Sequence, residues 1–257
     1  MTAHSLDNLW SLPADVVAWF EHGTDHDAKR LALVDETVAL RRSALYRKAF
    51  KGIAISYPAA LLELDAVAVW MRRERVTVEV TSGGELDQAI ANGVDPKYIV
   101  MHSGDAASIR RGVEAGAARF VVGSRRQIAD VAAGAERLQR IVVDAPSGSA
   151  LVSDALTHPE LDVIGLHCSL DDDDDAIGAV KLRQMVAEMA RIRREQGVLL
   201  TRISLADLEV GDRFLEPRIL RRVAEAVGEV VGDACAQYRY PRPALTVSPT
   251  RTALLPA

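Results

Sequence analysis

The strongest constraint on this chain is a repeated alternation: eight short apolar runs, each divided from the next by an amphipathic segment. The runs fall at 53–56, 76–80, 98–101, 119–122, 140–144, 163–167, 199–204 and 245–248. They are rich in Val and Ile and nearly continuous in hydrophobicity, which suits parallel strands covered on both faces. The segments at 58–73, 84–91, 105–115, 124–133, 148–156, 175–195 and 215–231 carry helical periodicity. Gly and Pro fall mostly between elements, as in Asn92-Gly-Val-Asp-Pro96 and Glu114-Ala-Gly116, where turns and helix caps are expected. Eight strands alternating with helices predict a single-domain (β/α)8 TIM barrel. A doubly wound sheet is the runner-up, but no Gly-x-Gly-x-x-Gly follows the first strand. The 257 residues suffice for one such barrel and its core.

Residues 1–30 read as a polar, partly helical leader, with the barrel at 31–257. Leu31-Ala-Leu-Val-Asp-Glu-Thr37 reads as a short strand entering a helix with Leu40, Leu45 and Tyr46 on one face. No interdomain linker or further repeat is evident. Net charge is −5 with both signs interspersed, so neither nucleic acid nor an anionic membrane is an expected partner. Two cysteines, Cys168 and Cys235, are too few for a disulfide framework and read as buried thiols. The N-terminus has no basic region followed by an apolar run, and no stretch approaches the ~20 apolar residues of a membrane span. The expected compartment is the cytoplasm.

Function in such a barrel comes from the C-terminal strand ends and the loops after them. Val78-Glu-Val-Thr-Ser-Gly-Gly-Glu-Leu86, then Ala91-Asn-Gly-Val-Asp-Pro-Lys-Tyr-Ile-Val-Met-His102 and Arg119-Phe-Val-Val-Gly-Ser124, follow in order. Together they resemble the barrel domain of the diaminopimelate and ornithine decarboxylases, a pyridoxal-phosphate-binding barrel of the alanine racemase-like type. The resemblance implies a Schiff-base lysine where this chain has Ser56, in Ile53-Ala-Ile-Ser-Tyr-Pro58. A hydroxyl cannot form a Schiff base. Lys48 and Lys51 precede that strand and are expected at the opposite mouth of the barrel.

The second half departs from the family in the same sense. Gly165-Leu-His-Cys-Ser169 resembles Gly-x-His-x-His, whose second histidine stacks on the cofactor ring; Ser169 has no ring. The family's small-residue phosphate loop is replaced by the acidic run from Asp171 to Asp175, which would repel phosphate by ~1 kcal/mol per close pair even in water. Ser204-Leu-Ala-Asp-Leu208 stands in place of a glycine loop that would cradle phosphate. In Val247-Ser-Pro-Thr-Arg251, Ser248 replaces the glutamate paired with the pyridine nitrogen, Thr250 replaces a glycine, and Arg251 remains. The sequence ends soon after, at Ala257, where the family continues into a β-domain, so a barrel without that domain is expected.

These losses predict a catalytically degenerate, decarboxylase-like barrel that acts by binding a protein or small-molecule partner, with no cofactor expected and a homodimer as one possible state. The vestigial pocket comprises Ser56, Ser82, Glu85, His102, His167, Ser169 and Arg251, all expected at the C-terminal mouth. His102 and His167 fall at strand ends and can face one cavity. Cys168 is a neighbour of His167 in sequence only, since adjacent strand residues point to opposite faces. Arg251 is expected to pair with the acidic run. Two alternatives remain: a pyridoxal-phosphate decarboxylase or racemase with a relocated lysine, and a metal-dependent enzyme using the acidic run. Asp171, Asp172 and Asp173 are candidate metal ligands there, against helix capping by the same run. His22, Asp25, His26 and Asp27 read as a solvated loop rather than a metal site.

Overall fold

The computed structural model describes residues 28–102, 104–145, 148–170, 175–208 and 216–255. Eight parallel strands close into a barrel in sequence order, so every strand is hydrogen-bonded to the ones before and after it in the chain. They are β1 (Ala54–Pro58), β2 (Thr77–Val80), β3 (Ile99–His102), β4 (Arg119–Val122), β5 (Gln139–Asp144), β6 (Leu161–Ser169), β7 (Arg202–Leu208) and β8 (Ala244–Pro249). The helices around them are α1 (Ala28–Ala49), α2 (Asp65–Glu74), α3 (Gly83–Ala91), α4 (Ala106–Ala115), α5 (Arg125–Gly134), α6 (Gly148–Ala155), α7 (Asp175–Gln196), α8 (Pro217–Tyr238) and the short α9 (Arg251–Leu254). Closure removes the exposed strand edge that an open sheet would leave. The barrel read from the sequence is the fold of the protein.

Three local readings need correction. Leu31–Thr37 is helical throughout, because α1 runs unbroken from Ala28 to Ala49 and crosses the boundary drawn at residue 30. Ala, Leu, Arg and Glu favour helix, and the closed barrel offers this segment no strand partner. Its buried face carries Glu36, Ala39, Ser43, Tyr46 and Phe50, a helical spacing; Leu40 and Leu45 are partly buried against the core. The helix expected at 58–73 is broken at Leu64 into a 3-10 turn (Ala59–Glu63) and α2. Glu36 explains the restart, since its Oε1 accepts the Ala66 N–H at 3.0 Å and serves as a cap from another helix. Finally, β7 extends past Ser204 to Leu208, through a register shift between Leu205 and Leu208 at which Asp207 adopts φ 55°.

Strand alternation divides the interior into two environments. Outward residues such as Val78, Ile99, Met101, Phe120, Ile141, Leu166 and Leu205 pack under the helices and are essentially inaccessible. A fully buried side chain of this size contributes about 2 kcal/mol of transfer free energy. Gly112 on α4 keeps one such contact close: a β-carbon there would collide with Met101 and Phe120. The inward positions are different. Ser56, Glu79, His167, Ser204, Thr246 and Ser248 are all buried polar residues. The helix layer holds the molecule together, and the bore of the barrel carries chemistry.

Candidate functional site

Glu79, in the middle of β2, is the centre of the bore. The Ser56 hydroxyl donates to Glu79 Oε1 at 2.5 Å, and the Ser248 hydroxyl donates to Oε2 at 2.8 Å. His102 Nε2 lies 3.3 Å from Oε2. Burial, the largest influence, pushes the Glu79 carboxyl up. Hydrogen bonding and charge from His102, then the two serine hydroxyls, outweigh burial and bring it down to about 2. Glu79 is therefore a buried carboxylate held by three side chains from three strands. The sequence signal was available: a lone acid inside Val76–Val80, at the aspartate position of the motif it matches. An acid in an apolar strand has no visible partner until the barrel closes, so the sequence alone does not mark it as a site.

The His102 and His167 rings meet edge to face, with centroids 5.0 Å apart and planes at 81°. They line a cavity of about 250 Å3 together with Val121, Gly123, Gln127, Asp144 and Ser169. Asp144, at the end of β5, has its carboxyl pushed up by partial burial, against a hydrogen bond from Ala145 and the charge of His102. Cys168, next in sequence to His167, points instead into the helix layer; it and Cys235 are buried free thiols.

Ser169 closes this side of the mouth. Its hydroxyl donates to Asp207 Oδ2 at 2.6 Å, so the irregular end of β7 delivers a carboxylate to the end of β6. Its carbonyl accepts from Lys181 Nζ at 3.1 Å, a side chain reaching over from α7. Neither Asp144 nor Lys181 was singled out from the sequence, and Asp207 was noted only as an acid in the loop.

The remaining expected pocket residues lie at the same end of the barrel but outside the network. Ser82 and Glu85 form a capping box on α3: Ser82 Oγ accepts the Glu85 N–H, and Glu85 Oε2 accepts the Thr81 N–H and hydroxyl. Ser124 and Gln127 repeat the device on α5, and Asp105 caps α4 through the Ser108 N–H. Arg251 faces Glu63 at 3.9 Å across an exposed rim. Thr250 caps the α9 helix that Arg251 opens, and the acidic run expected to pair with Arg251 lies, as far as Asp174, outside the described residues. Asp171, Asp172, Asp173 and Asp174 lie outside the described residues, as do His22, Asp25, His26 and Asp27. Among the described residues, no group of three or more His, Cys, Asp or Glu is placed to hold a metal ion, and no helix is long and apolar enough to cross a membrane.

The cofactor that the sequence resemblance implies makes specific demands on this site. Pyridoxal phosphate held in the family's manner needs an amine at position 56, donors around its phosphate and an acid at position 248. Ser56 is fully buried and bound to Glu79, Ser248 is bound to the same carboxylate, and Asp207 occupies Ser169. Lys48 and Lys51 are exposed at the end of α1 and in the turn before β1, at the other end of the barrel. These residues do not fit the cofactor held in that way.

A closed parallel barrel with polar groups gathered at the C-terminal mouth defines an α/β-barrel protein whose candidate site lies at the end where such barrels place theirs. Comparison with known proteins makes the class specific. Residues 37–157 match the family described as pyridoxal-dependent decarboxylase, pyridoxal binding domain, so this part of the chain is similar to that family's barrel domain. It is 23% identical over 256 residues to a diaminopimelate decarboxylase of Actinosynnema pretiosum subsp. auranticum, covering 85% of this chain and 57% of that protein. The diaminopimelate decarboxylase of M. jannaschii in complex with L-lysine superposes with a TM-score of 0.73 at 18% identity, over 86% of this chain and 60% of the other. The lysine/ornithine decarboxylase of Vibrio vulnificus complexed with cadaverine gives 0.72 at 13% identity, over 85% and 62%. The chain thus spans about three-fifths of the length of these relatives.

Proposed function

We propose that this barrel works by binding a small molecule at its C-terminal mouth, without pyridoxal phosphate chemistry, as a degenerate member of its family. The observation that carries this reading is the Ser56–Glu79–Ser248 triad. Two positions that the resemblance assigns to the cofactor are hydroxyls whose hydrogen bonds are already spent inside the protein. The cofactor supplies an electron sink for carbanions; without an amine to attach it, that sink is lost. The same mouth favours a cationic ligand. Asp144 and Asp207 border it and Glu79 lies beneath, so carboxylates gather where an alkylammonium would sit. Relatives of the same fold are complexed with L-lysine and cadaverine, so a small amine is the ligand class to test first.

Titrated with pyridoxal phosphate, the protein should develop no stable, stoichiometric aldimine absorbance. Calorimetry with cadaverine and L-lysine should show saturable binding that Asp144→Asn weakens by about tenfold, equivalent to ~1.4 kcal/mol. Lys181 is the informative control, because it is the lysine whose amine reaches the mouth. A stoichiometric adduct in the wild type that disappears in Lys181→Arg would replace this reading with a working enzyme using a relocated lysine.

Ser56→Lys alone should not restore decarboxylation. The new ammonium would meet Glu79 and be held there as an ion pair, and Ser248 still could not hold a pyridine nitrogen protonated. Each missing group costs ~10²–10³ in rate. Turnover of a diamino acid at an ordinary rate by this single variant would refute the argument.

A further inference from the structure

We propose a second binding site at the opposite, N-terminal end of the bore, where Arg119 and Arg202 with the Thr246 hydroxyl take a small tetrahedral oxyanion of the phosphate or sulfate class. The placement follows from register. Ser248 points into the bore, since it touches Glu79; Thr246, two residues earlier on β8, points the same way. His102 is interior and pairs with Val121, which lines the same cavity, so Arg119 two residues before it is interior as well. His167 pairs with Ser204, so Arg202 also faces inward.

Layers in a barrel of this kind are drawn from alternate strands. The register puts Thr77, Arg119, Gly165 and Thr246 in one layer, and Arg140 and Arg202 in the next layer toward the N-terminal end. Arg119 and Thr246 therefore stand across the bore from each other, and Gly165 contributes no side chain to fill the space between.

Three observations mark this as a site and not only a packed floor. Neither Arg119 nor Arg202 makes a hydrogen bond or ion pair among the described residues. The Thr246 side chain is 2% exposed, and its hydroxyl has no partner among them either. Burial and then the neighbouring Arg202 push the Arg119 guanidinium down to about 10, against the pull of Glu79, with Arg140 adding repulsion. The carboxylates nearby are committed. Glu79 is bound by Ser56 and Ser248, and Asp162 faces Arg140 at 4.0 Å at the exposed rim. Two convergent guanidiniums with donors to spare and a buried hydroxyl suit a tetrahedral oxyanion, which can accept from all three. The site does not depend on what the other mouth binds.

The experiment uses the full chain in calorimetry and thermal unfolding, with inorganic phosphate and sulfate compared against chloride at matched ionic strength. Glycerol phosphate forms a parallel arm, to separate a free anion from a phosphomonoester entering with its alcohol outward. Saturable millimolar or tighter binding of either form is expected. Arg202→Met should weaken it at least tenfold, and Thr246→Val about fivefold, with unfolding in chloride unchanged for the former because Arg202 lies near the open end. Arg119→Met should abolish it; if that variant fails to fold, the Arg202 and Thr246 variants decide the matter. Stabilisation by oxyanion no greater than by chloride, or wild-type affinity in Arg202→Met, overturns the proposal. Loss of amine binding at the other mouth would leave it standing.

Discussion

Glu79→Ala is expected to destabilise the protein by about 4 kcal/mol, lowering the unfolding midpoint by about 10 °C. The cost arises because one truncation orphans the Ser56 and Ser248 hydroxyls and removes the carboxylate beside His102 Nε2. It also strips the bore of the carboxylate that offsets Arg119. Glu79→Gln keeps the volume and separates charge from packing. The folded-state carboxyl sits at about 2, against an ordinary 4.5. Its contribution to stability is therefore complete above pH ~4.5 and is lost as pH falls through about 2, a swing of about 3 kcal/mol. Denaturant unfolding at a series of acidic pH values should show this slope in the wild type and a flatter one in Glu79→Gln. Equal slopes in the two proteins would mean that the Glu79 carboxyl titrates alike in the folded and unfolded states, and the network would have to be redrawn.

Gly165→Ala should cost about 3 kcal/mol or more, for a backbone reason. Gly165 on β6 pairs with Arg202 on β7, and a β-carbon at 165 would overlap the Arg202 carbonyl directly. A backbone atom cannot swing aside as a side-chain tip can, so the two strands must part at the level of the arginine layer. The matched control is Gly178→Ala on α7, whose added methyl meets only Leu170 Cδ2 at 3.9 Å. That change should be neutral or stabilise by up to about 1 kcal/mol through helix propensity. Chemical denaturation of the two variants side by side checks both, and a Gly165→Ala protein as stable as wild type would show that the β6–β7 register is wrong.

Legibility of the sequence varied with the range of the interaction concerned. Strand β4 was read to the residue at Arg119–Val122, and the other strands were located with ends a few residues off, because hydrophobic runs and glycine punctuation are local signals. The capping boxes at Ser82–Glu85 and Ser124–Gln127 are equally local, yet the first was read as pocket. A Ser-x-x-Glu after a strand marks the mouth of a barrel and a helix N-terminus alike, and the hydrogen bonds show these two residues capping the helix at that mouth. The end of β7 was missed because its last residues follow a register shift, with Asp207 at positive φ; composition carries no trace of it. Leu31–Thr37 was misread because a short apolar run suits either period until its neighbours are known.

What the sequence determined by itself was the eightfold alternation that favours a barrel, and the absence of an amine at Ser56. Both are facts of composition along the chain, and neither requires knowing which residues touch. The tertiary structure alone decided what Ser56 does instead. It donates to Glu79 from the neighbouring strand, with Ser248, 192 residues away in the chain, sharing that carboxylate. Barrel closure brings β8 beside β1, and inward alternation then turns three separate strand positions onto one buried charge. A carboxylate excluded from water must find donors, and only closure of the chain on itself determines which residues supply them.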